Sequence, residues 1–347
     1  MKNVFDYLKF YNETSFDEYK FNDMDNVVFS ILSYLPLKNL VTEQSYDLLE
    51  ILKIIQEGKK TPRGLGLAAT KILEIIALGQ RYKDVVLSNY VSLVDDQTQF
   101  SAVKFKFNDM CYIAFKGTDS SLSGWKENLE LCYKYPVNAQ EQAISYLQKV
   151  VNEEDKNIYI GGHSKGGNLA MVSAMENNQL IDRIITIYNN DGPGFLKQEF
   201  ESKKYKEMSK KLKNIIPEGS MVGVLLNNID PMVIESNEIG IQEHFLNNWQ
   251  CFGGFLIPGN LSKASIRIKK QLNEWVEKTS DQNKKIAVNA LFDILYDNDI
   301  KYFNQLKDLN MNDFIDMIKD ANKVDEDTKN IILETLKSLL FNSKKEE

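Results

Sequence analysis

The spacing of apolar residues predicts a helical beginning followed by a strand-rich segment. Residues 24–32 and 46–52 carry apolar side chains at helical spacing, so the first hundred residues are expected to be mostly helical. Residues 100–107 then alternate apolar and polar positions, and residues 110–115 form a second apolar run after a short Asn-Asp turn. This pattern predicts an antiparallel hairpin.

Strand and helix patterns alternate through the middle of the chain. Helical spacing in residues 139–151 precedes a β-branched and aromatic run at 157–161, which is followed by a helix-forming segment at 166–175. Further apolar runs at 183–188 and 221–226 are expected to be strands. Such alternation predicts an α/β fold with a mainly parallel sheet covered by helices on both faces.

After Pro258 the pattern becomes lysine-rich and helical. Segments such as 286–295 and 328–336 predict a C-terminal bundle of three or four helices. We therefore expect an α/β domain over residues 1–262, including the N-terminal helices, and a C-terminal helical region over residues 263–347. We favour packing of these C-terminal helices against the rest of the chain over a position on a membrane. Peripheral membrane contact and recruitment of a protein partner by the helices are the alternatives.

Composition narrows the class of protein. A net charge of −7 and 43% hydrophobic residues are typical of a globular protein and argue against a general nucleic-acid binder. Residues 1–7 carry acidic and polar residues where a secretory signal would be apolar, so a cytoplasmic location is expected. The three cysteines, Cys111, Cys132 and Cys251, lack metal-ligand spacing, and no metal or organic cofactor is expected.

The strongest candidate chemistry is centred on Ser164. Residues 162–166 read Gly-His-Ser-Lys-Gly between a predicted strand and a predicted helix, which is the context of a nucleophile elbow. The competing interpretation is a glycine-rich turn in an ordinary α/β protein. Cys251 near His244 is an alternative nucleophile, but it lacks an elbow and is better interpreted as a core or surface thiol.

A serine nucleophile needs an imidazole base and an acid to orient it. The chain has two histidines and one lies inside the elbow, so His244 is the candidate base. Asp191 and Asp230 lie between Ser164 and His244, in the order expected of α/β hydrolases. Asp230 is favoured because it follows the predicted strand at 221–226, with Asp191 as the alternative acid or a turn-capping residue.

Two backbone amides are candidate oxyanion donors. The N–H of Lys165 would lie at the start of the helix that follows the nucleophile. Thr118 follows a predicted strand, and Gly117 before it permits close approach. The Lys165 side chain is expected to be solvated or to contact a neighbouring loop, with attraction of an anionic substrate as the alternative.

Several ordered motifs are similar to those of class 3 (fungal-type) lipases. They are Phe-Lys-Gly-Thr at 115–118, Gly-Trp at 124–125, the elbow at 162–170, and Asp230-Pro231 before His244. His-Ser-Lys-Gly-Gly-Asn at 163–168 and Asn-Asp-Gly-Pro-Gly-Phe at 190–195 more closely resemble an uncharacterised bacterial family of lipase-like α/β hydrolases, over residues 20–260. Lysine at 116 and 165 replaces arginine and leucine of the class 3 pattern, so triglyceride preference is not implied.

The resemblance implies an α/β-hydrolase fold with Ser164, Asp230 and His244 as the catalytic triad. It also implies that Thr118 and Lys165 are the oxyanion donors. The expected reaction is hydrolysis of a small acyl ester or lipid-like ester through an acyl-enzyme. Acyl transfer or amide hydrolysis by the same residues, and a binding module without catalysis, are the alternatives.

Overall fold

An eight-stranded sheet forms the centre of the computed structural model. The model describes residues 2–300 except 38, 39, 41–43, 59–61, 96, 119 and 120, and in addition residues 316, 318, 326 and 328–330. The strands lie in chain order, β1 to β8, antiparallel from β1 to β4 and parallel from β4 to β8. Their bounds are Tyr46–Asp47, Val86–Val94, Gln99–Phe107, Met110–Phe115, Asn157–His163, Ile184–Asn190, Leu212–Pro217 and Met232–Ile234. A separate hairpin pairs β9, Cys251–Phe252, with β10, Phe255–Leu256.

Eleven α-helices are described around these strands. In chain order, α1 to α11 span Val4–Tyr11, Asp23–Leu32, Leu48–Glu57, Leu65–Ile76, Leu122–Glu130, Asn138–Val150, Lys165–Glu176, Lys197–Phe200, Lys203–Met208, Lys263–Lys278 and Asp281–Asp297. Side-chain caps fix several of their starts. Asn22 and Asp25 form a reciprocal capping box at α2, and Ser121 accepts a hydrogen bond from the amide of Gly124 at α5.

Apolar side chains on both faces of the sheet account for two large cores. Along β4, Tyr112 packs with the N-terminal helices, whereas Cys111 and Ile113 pack on the opposite face with α6 and α7. Strands buried on both faces need nearly continuous apolar sequence, which is what the central strands have. The expected α/β fold with a mainly parallel sheet is confirmed.

The parallel strands bring their carboxyl ends to one edge of the sheet. Phe115 at the end of β4 pairs with Gly162, and His163 at the end of β5 pairs with Asn190 at the end of β6. The Asn190 side chain also hydrogen-bonds Asn26 of α2 at 2.9 Å, so the N-terminal helices support this edge directly. In open parallel sheets, ligands bind outside the carboxyl ends of the strands.

One predicted strand is wrong. Residues 221–226 form turns, and the strand beside β6 is Leu212–Pro217. The apolar residues of this segment are partly buried without strand pairing because the segment wraps around the buried carboxylate of Asp191. The strand β2, Val86–Val94, was not predicted either, since its pattern is interrupted by a bulge between Ser88 and Val91.

The C-terminal helix α11 packs against α5. Val288 and Phe292 of α11 share a buried cluster with Leu122, and Trp125 packs against that cluster. Most of the predicted helix at 328–336 lies outside the described residues. The division of the chain at residue 262 stays a prediction. Across the described residues, no helix combines the length and apolar character needed to cross a membrane.

Candidate active site

Ser164 lies at the junction of β5 and α7, with the backbone conformation of a strained elbow. Its φ is 57° and its ψ is −130°, in a region that residues other than glycine seldom adopt. The Ser164 amide donates a hydrogen bond to the carbonyl oxygen of Asn190 at 3.0 Å. The predicted strand, sharp turn and helix around Ser164 are therefore present in the fold.

Both glycines of the elbow are required by close backbone contacts. A Cβ on Gly162 would lie 2.4 Å from the carbonyl oxygen of Gly166, and a Cβ on Gly166 would lie 2.1 Å from the carbonyl oxygen of Phe115. Neither neighbour is a flexible side chain. The elbow can therefore pass beside the end of β4 only without side chains at these positions.

We expect Gly166→Ala to lower the free energy of unfolding by about 3 kcal/mol or more, because the new methyl group meets fixed backbone atoms. Gly66→Ala in helix α4 is the control, since its Cβ would come no closer than 3.2 Å to a neighbouring atom. We expect this helical substitution to change stability by less than about 1 kcal/mol. Chemical denaturation of both variants checks the difference, and equal stabilities would contradict the explanation of the elbow.

The carboxylate that meets His244 is Asp191. The Nδ1 atom of His244 lies 2.6 Å from Oδ2 of Asp191. Asp230, favoured from the sequence, is exposed in the loop before β8, and no hydrogen bond between it and His244 is found. The carboxylate in contact with the imidazole is therefore Asp191 and not Asp230, and which of the two acts as the catalytic acid stays a prediction. The preference for Asp230 depended on a strand at 221–226 that does not form.

Asp191 is fully buried at the end of β6 and accepts hydrogen bonds from several donors. Besides His244, the hydroxyl of Ser220 and the amide of Gly223 donate to its Oδ1, the latter at 3.0 Å. A Cβ on Gly223 would lie 2.4 Å from the same oxygen. The 221–226 segment is thus a turn that encloses this carboxylate.

His244 is the last residue of a short 3₁₀ turn, Gly240–His244. The preceding residue, Glu243, fixes the position of this turn. The Glu243 carboxylate accepts hydrogen bonds from the amides of Gly219 at 2.6 Å and Gly240 at 3.0 Å. Its backbone carbonyl accepts from the indole N–H of Trp249 at 2.9 Å. These contacts tie the imidazole loop to the end of β7, while the His244 side chain keeps 17% of its surface exposed.

Thr118 and Lys165, the two predicted oxyanion donors, come from neighbouring structural elements. Thr118 follows β4, and its hydroxyl accepts a hydrogen bond from the Nδ2 atom of Asn128 in α5 at 2.9 Å. A Cβ on Gly117 would lie 3.1 Å from Cβ of Ser164, which shows how closely this loop approaches the serine. Lys165 is the first residue of α7, where backbone amides point out of the helix.

The side chain of Lys165 does not face a substrate site. It is 1% exposed, and its Nζ donates to the carbonyl of Gln99 at 2.7 Å and to Glu127 at 2.8 Å. Glu127 also accepts a hydrogen bond from the amide of Ala139, so it joins three segments of the fold. The idea that Lys165 attracts an anionic substrate is wrong, because its ammonium group is buried and forms an ion pair with Glu127.

His163, the other histidine, is buried immediately before Ser164 and contacts His244. Its Nδ1 lies 2.9 Å from the Tyr34 hydroxyl, and its Nε2 lies 2.7 Å from the carbonyl oxygen of His244. Burial, together with the nearby His244 ring, lowers the pKa of His163 well below its usual value of 6.5. The sequence singled out His163 as a flanking residue but gave no signal for its contact with Tyr34.

Other features around the site bear on its chemistry. Cys251 is buried, and burial raises the pKa of its thiol to about 11, so it is a core thiol.

Met221, Ile239 and Ile241 are exposed apolar residues on the two segments that hold Asp191 and His244. Within the described part of the chain, no three His, Cys, Asp or Glu side chains converge as a metal site.

Comparison with known proteins gives one result. A sequence model of the Mbeg1-like family matches residues 76–293, which is more than half of the chain. No curated protein sequence and no solved structure matches significantly. The matched region begins at the last residue of α4, includes the elbow, Asp191 and His244, and continues into α11. The chain belongs to the Mbeg1-like family.

Proposed function

We propose that this protein is a serine hydrolase that cleaves carboxylic esters through an acyl-enzyme on Ser164. The observation that carries the proposal is the hydrogen bond between His244 and the buried carboxylate of Asp191, beside a serine in a strained elbow. The Mbeg1-like family is reported as lipase-like, which supports a hydrolase. The link to class 3 lipases stays a prediction.

In the proposed acylation step, His244 is the general base. A carboxylate only accepts hydrogen bonds, so Nδ1 carries a proton toward Asp191 and Nε2 is left to accept the proton of the Ser164 hydroxyl. The serine oxygen then attacks the carbonyl carbon of the ester. The resulting oxyanion is stabilised by the amides of Thr118 and Lys165 and by the positive end of helix α7.

The intermediate collapses when the ester carbon–oxygen bond breaks and the imidazolium gives its proton to the departing alcohol. Water then takes the place of the alcohol. His244 removes a proton from the water as its oxygen attacks the acyl carbon, and the carboxylic acid leaves as Ser164 regains its proton. Every step uses the same three side chains, and none requires a cofactor.

The substrate we propose is an ester with an apolar acyl chain. The exposed side chains of Met221, Ile239 and Ile241 offer apolar surface on the segments next to Asp191 and His244. The Lys165 ammonium is bound to Glu127 and contributes no cation for an acidic substrate group. Apolar contact without a charged partner suits a neutral acyl group better than an anionic one.

Covalent labelling tests the proposal. An alkyl fluorophosphonate transfers its phosphoryl group to a serine that is activated by an adjacent base. We expect the native protein to incorporate one label, and mass spectrometry of the digested protein to locate it in the peptide that contains Ser164. Heat-unfolded protein, in which Asp191 and His244 are separated from the serine, is the control and should not be labelled.

Absence of label on natively folded protein, or label on another residue, would contradict the proposal. If label is found on Ser164, turnover of aryl esters in the presence of increasing alcohol or amine separates hydrolysis from acyl transfer. Constant release of free acid supports hydrolysis. A rising share of acyl alcohol or amide would assign the same acyl-enzyme to a transferase.

A further inference from the structure

A series of hydrogen bonds runs from Gly117, which precedes the proposed oxyanion donor Thr118, to the backbone of His244, the proposed base. His163 is 2% exposed at the end of β5, immediately before Ser164. Its Nε2 lies 2.7 Å from the carbonyl oxygen of His244, and a carbonyl oxygen only accepts hydrogen bonds. The Nε2 atom of His163 therefore carries a proton and donates it to that bond.

The other end of the imidazole fixes the direction of the remaining bonds. Because burial keeps His163 neutral, its Nδ1 has a lone pair and accepts from the Tyr34 hydroxyl at 2.9 Å. The oxygen of Tyr34 in turn accepts from the amide of Gly117 at 3.1 Å. The bonds therefore run in one direction, from Gly117 through Tyr34 and His163 to His244.

We infer that His163 is a positioning residue that fixes the backbone of His244 relative to Ser164. The inference rests on the proposed function. Asp191 orients the imidazole of His244 from the side-chain end, whereas His163 fixes the carbonyl of the same residue. Since His163 and Ser164 are consecutive, a single ring connects the backbone of the nucleophile to the backbone of the base.

The neutral state of His163 matters for the reaction as well as for the geometry. The rings of His163 and His244 have centroids 4.4 Å apart, and His244 becomes an imidazolium during each proposed proton transfer. A second positive ring at that distance would oppose the transfer. Protonation of Nδ1 would also reverse its bond with Tyr34, because Nδ1 would then donate to the Tyr34 oxygen instead of accepting from its hydroxyl.

Nuclear magnetic resonance tests the direction of the chain without any assay of activity. The protein has two histidines, so its imidazole nitrogen signals can be assigned with the His163→Gln variant. We expect His163 to stay neutral with its proton on Nε2 from about pH 5 to pH 9, a range in which an ordinary histidine titrates. Titration of His163 in this range, or a proton on Nδ1, would overturn the inference.

Kinetics of aryl-ester hydrolysis test the positioning role. We expect His163→Leu to lower kcat by about 100-fold with little change in KM, since small displacements of a catalytic group are costly and the substrate does not touch this ring. His163→Gln should recover most of the loss, because an amide can donate to the His244 carbonyl and accept from Tyr34. In His163→Leu, the low-field proton signal of the bond from His244 to Asp191 should weaken.

Tyr34→Phe provides a second variant in case His163→Leu fails to fold. It keeps the aromatic ring and removes the hydroxyl between Gly117 and His163, so we expect kcat to fall about tenfold. The matched control is Tyr159→Phe. It removes a hydroxyl on β5 that takes no part in the hydrogen bonds between Gly117, Tyr34, His163 and His244, so kcat should be unchanged. Native kinetics in both His163→Leu and Tyr34→Phe would overturn the inference, whereas an unlabelled wild-type protein would instead reject the proposed function.

Discussion

Ser164→Ala should lower kcat for ester hydrolysis by about 10⁶-fold, since no acyl-enzyme can form without the hydroxyl. Folding should be unaffected, because the Ser164 side chain makes no cap hydrogen bond to helix α7. Alanine at a positive φ is strained much as serine is, so the elbow keeps its conformation. Steady-state hydrolysis of an aryl ester, together with thermal unfolding of both proteins, measures the effect.

Ser173→Ala is the matched control for that substitution. Ser173 lies on α7, the helix that follows Ser164. Its side chain is buried, and its hydroxyl donates a hydrogen bond to the carbonyl oxygen of Ala170 at 3.0 Å. Its removal costs a local hydrogen bond but touches no part of the proposed reaction, so kcat should be unchanged. A Ser164→Ala protein that keeps native folding and more than a trace of activity would mean that another residue is the nucleophile.

Asp191→Asn should lower kcat by about 10⁴-fold while Asp230→Asn leaves it unchanged. An amide at position 191 would donate a hydrogen bond to Nδ1 of His244 and so favour the tautomer with its proton on Nε2. That tautomer cannot accept the proton of Ser164. The Asp191 carboxylate also accepts from Ser220 and Gly223, and these donors would face the remaining amide oxygen.

The comparison of these two aspartate variants decides the identity of the acid. Both should be measured at a pH near neutrality, with circular dichroism to show that Asp191→Asn is folded. A larger loss in Asp230→Asn than in Asp191→Asn would restore the acid that the sequence favoured. Equal losses would mean that the bond between Asp191 and His244 does not orient the base.

The strand, sharp turn and helix around Ser164 could be predicted from the sequence because their determinants are local. A β-branched strand, two glycines that fit against the end of β4, and a helix-forming segment are adjacent in the chain. The presence of only two histidines also limited the candidates for the base. The sequence did not predict that Asp191 would contact His244, since an apolar run at 221–226 has the composition of a strand but is held as a turn by Gly223 and Ser220.

Long-range contacts explain the other differences between sequence and structure. The role of the Lys165 side chain depends on Glu127, nearly forty residues away, and no local pattern reports that pairing. The contact of His163 with Tyr34 depends on how the N-terminal helices pack across the sheet edge. Hydrogen bonds between distant segments follow from tertiary packing, which composition and periodicity do not encode.

The contact between α11 and α5 has a consequence for how the protein could be shortened. Leu122 and Trp125 lie a few residues beyond Thr118 and pack with Val288 and Phe292. A chain that ended at residue 262 would leave this apolar surface in water and remove a support of the segment that begins just after Thr118. Helix α11 therefore supports the segment that follows the proposed oxyanion donor Thr118, and a shortened protein that keeps this support would have to include α11.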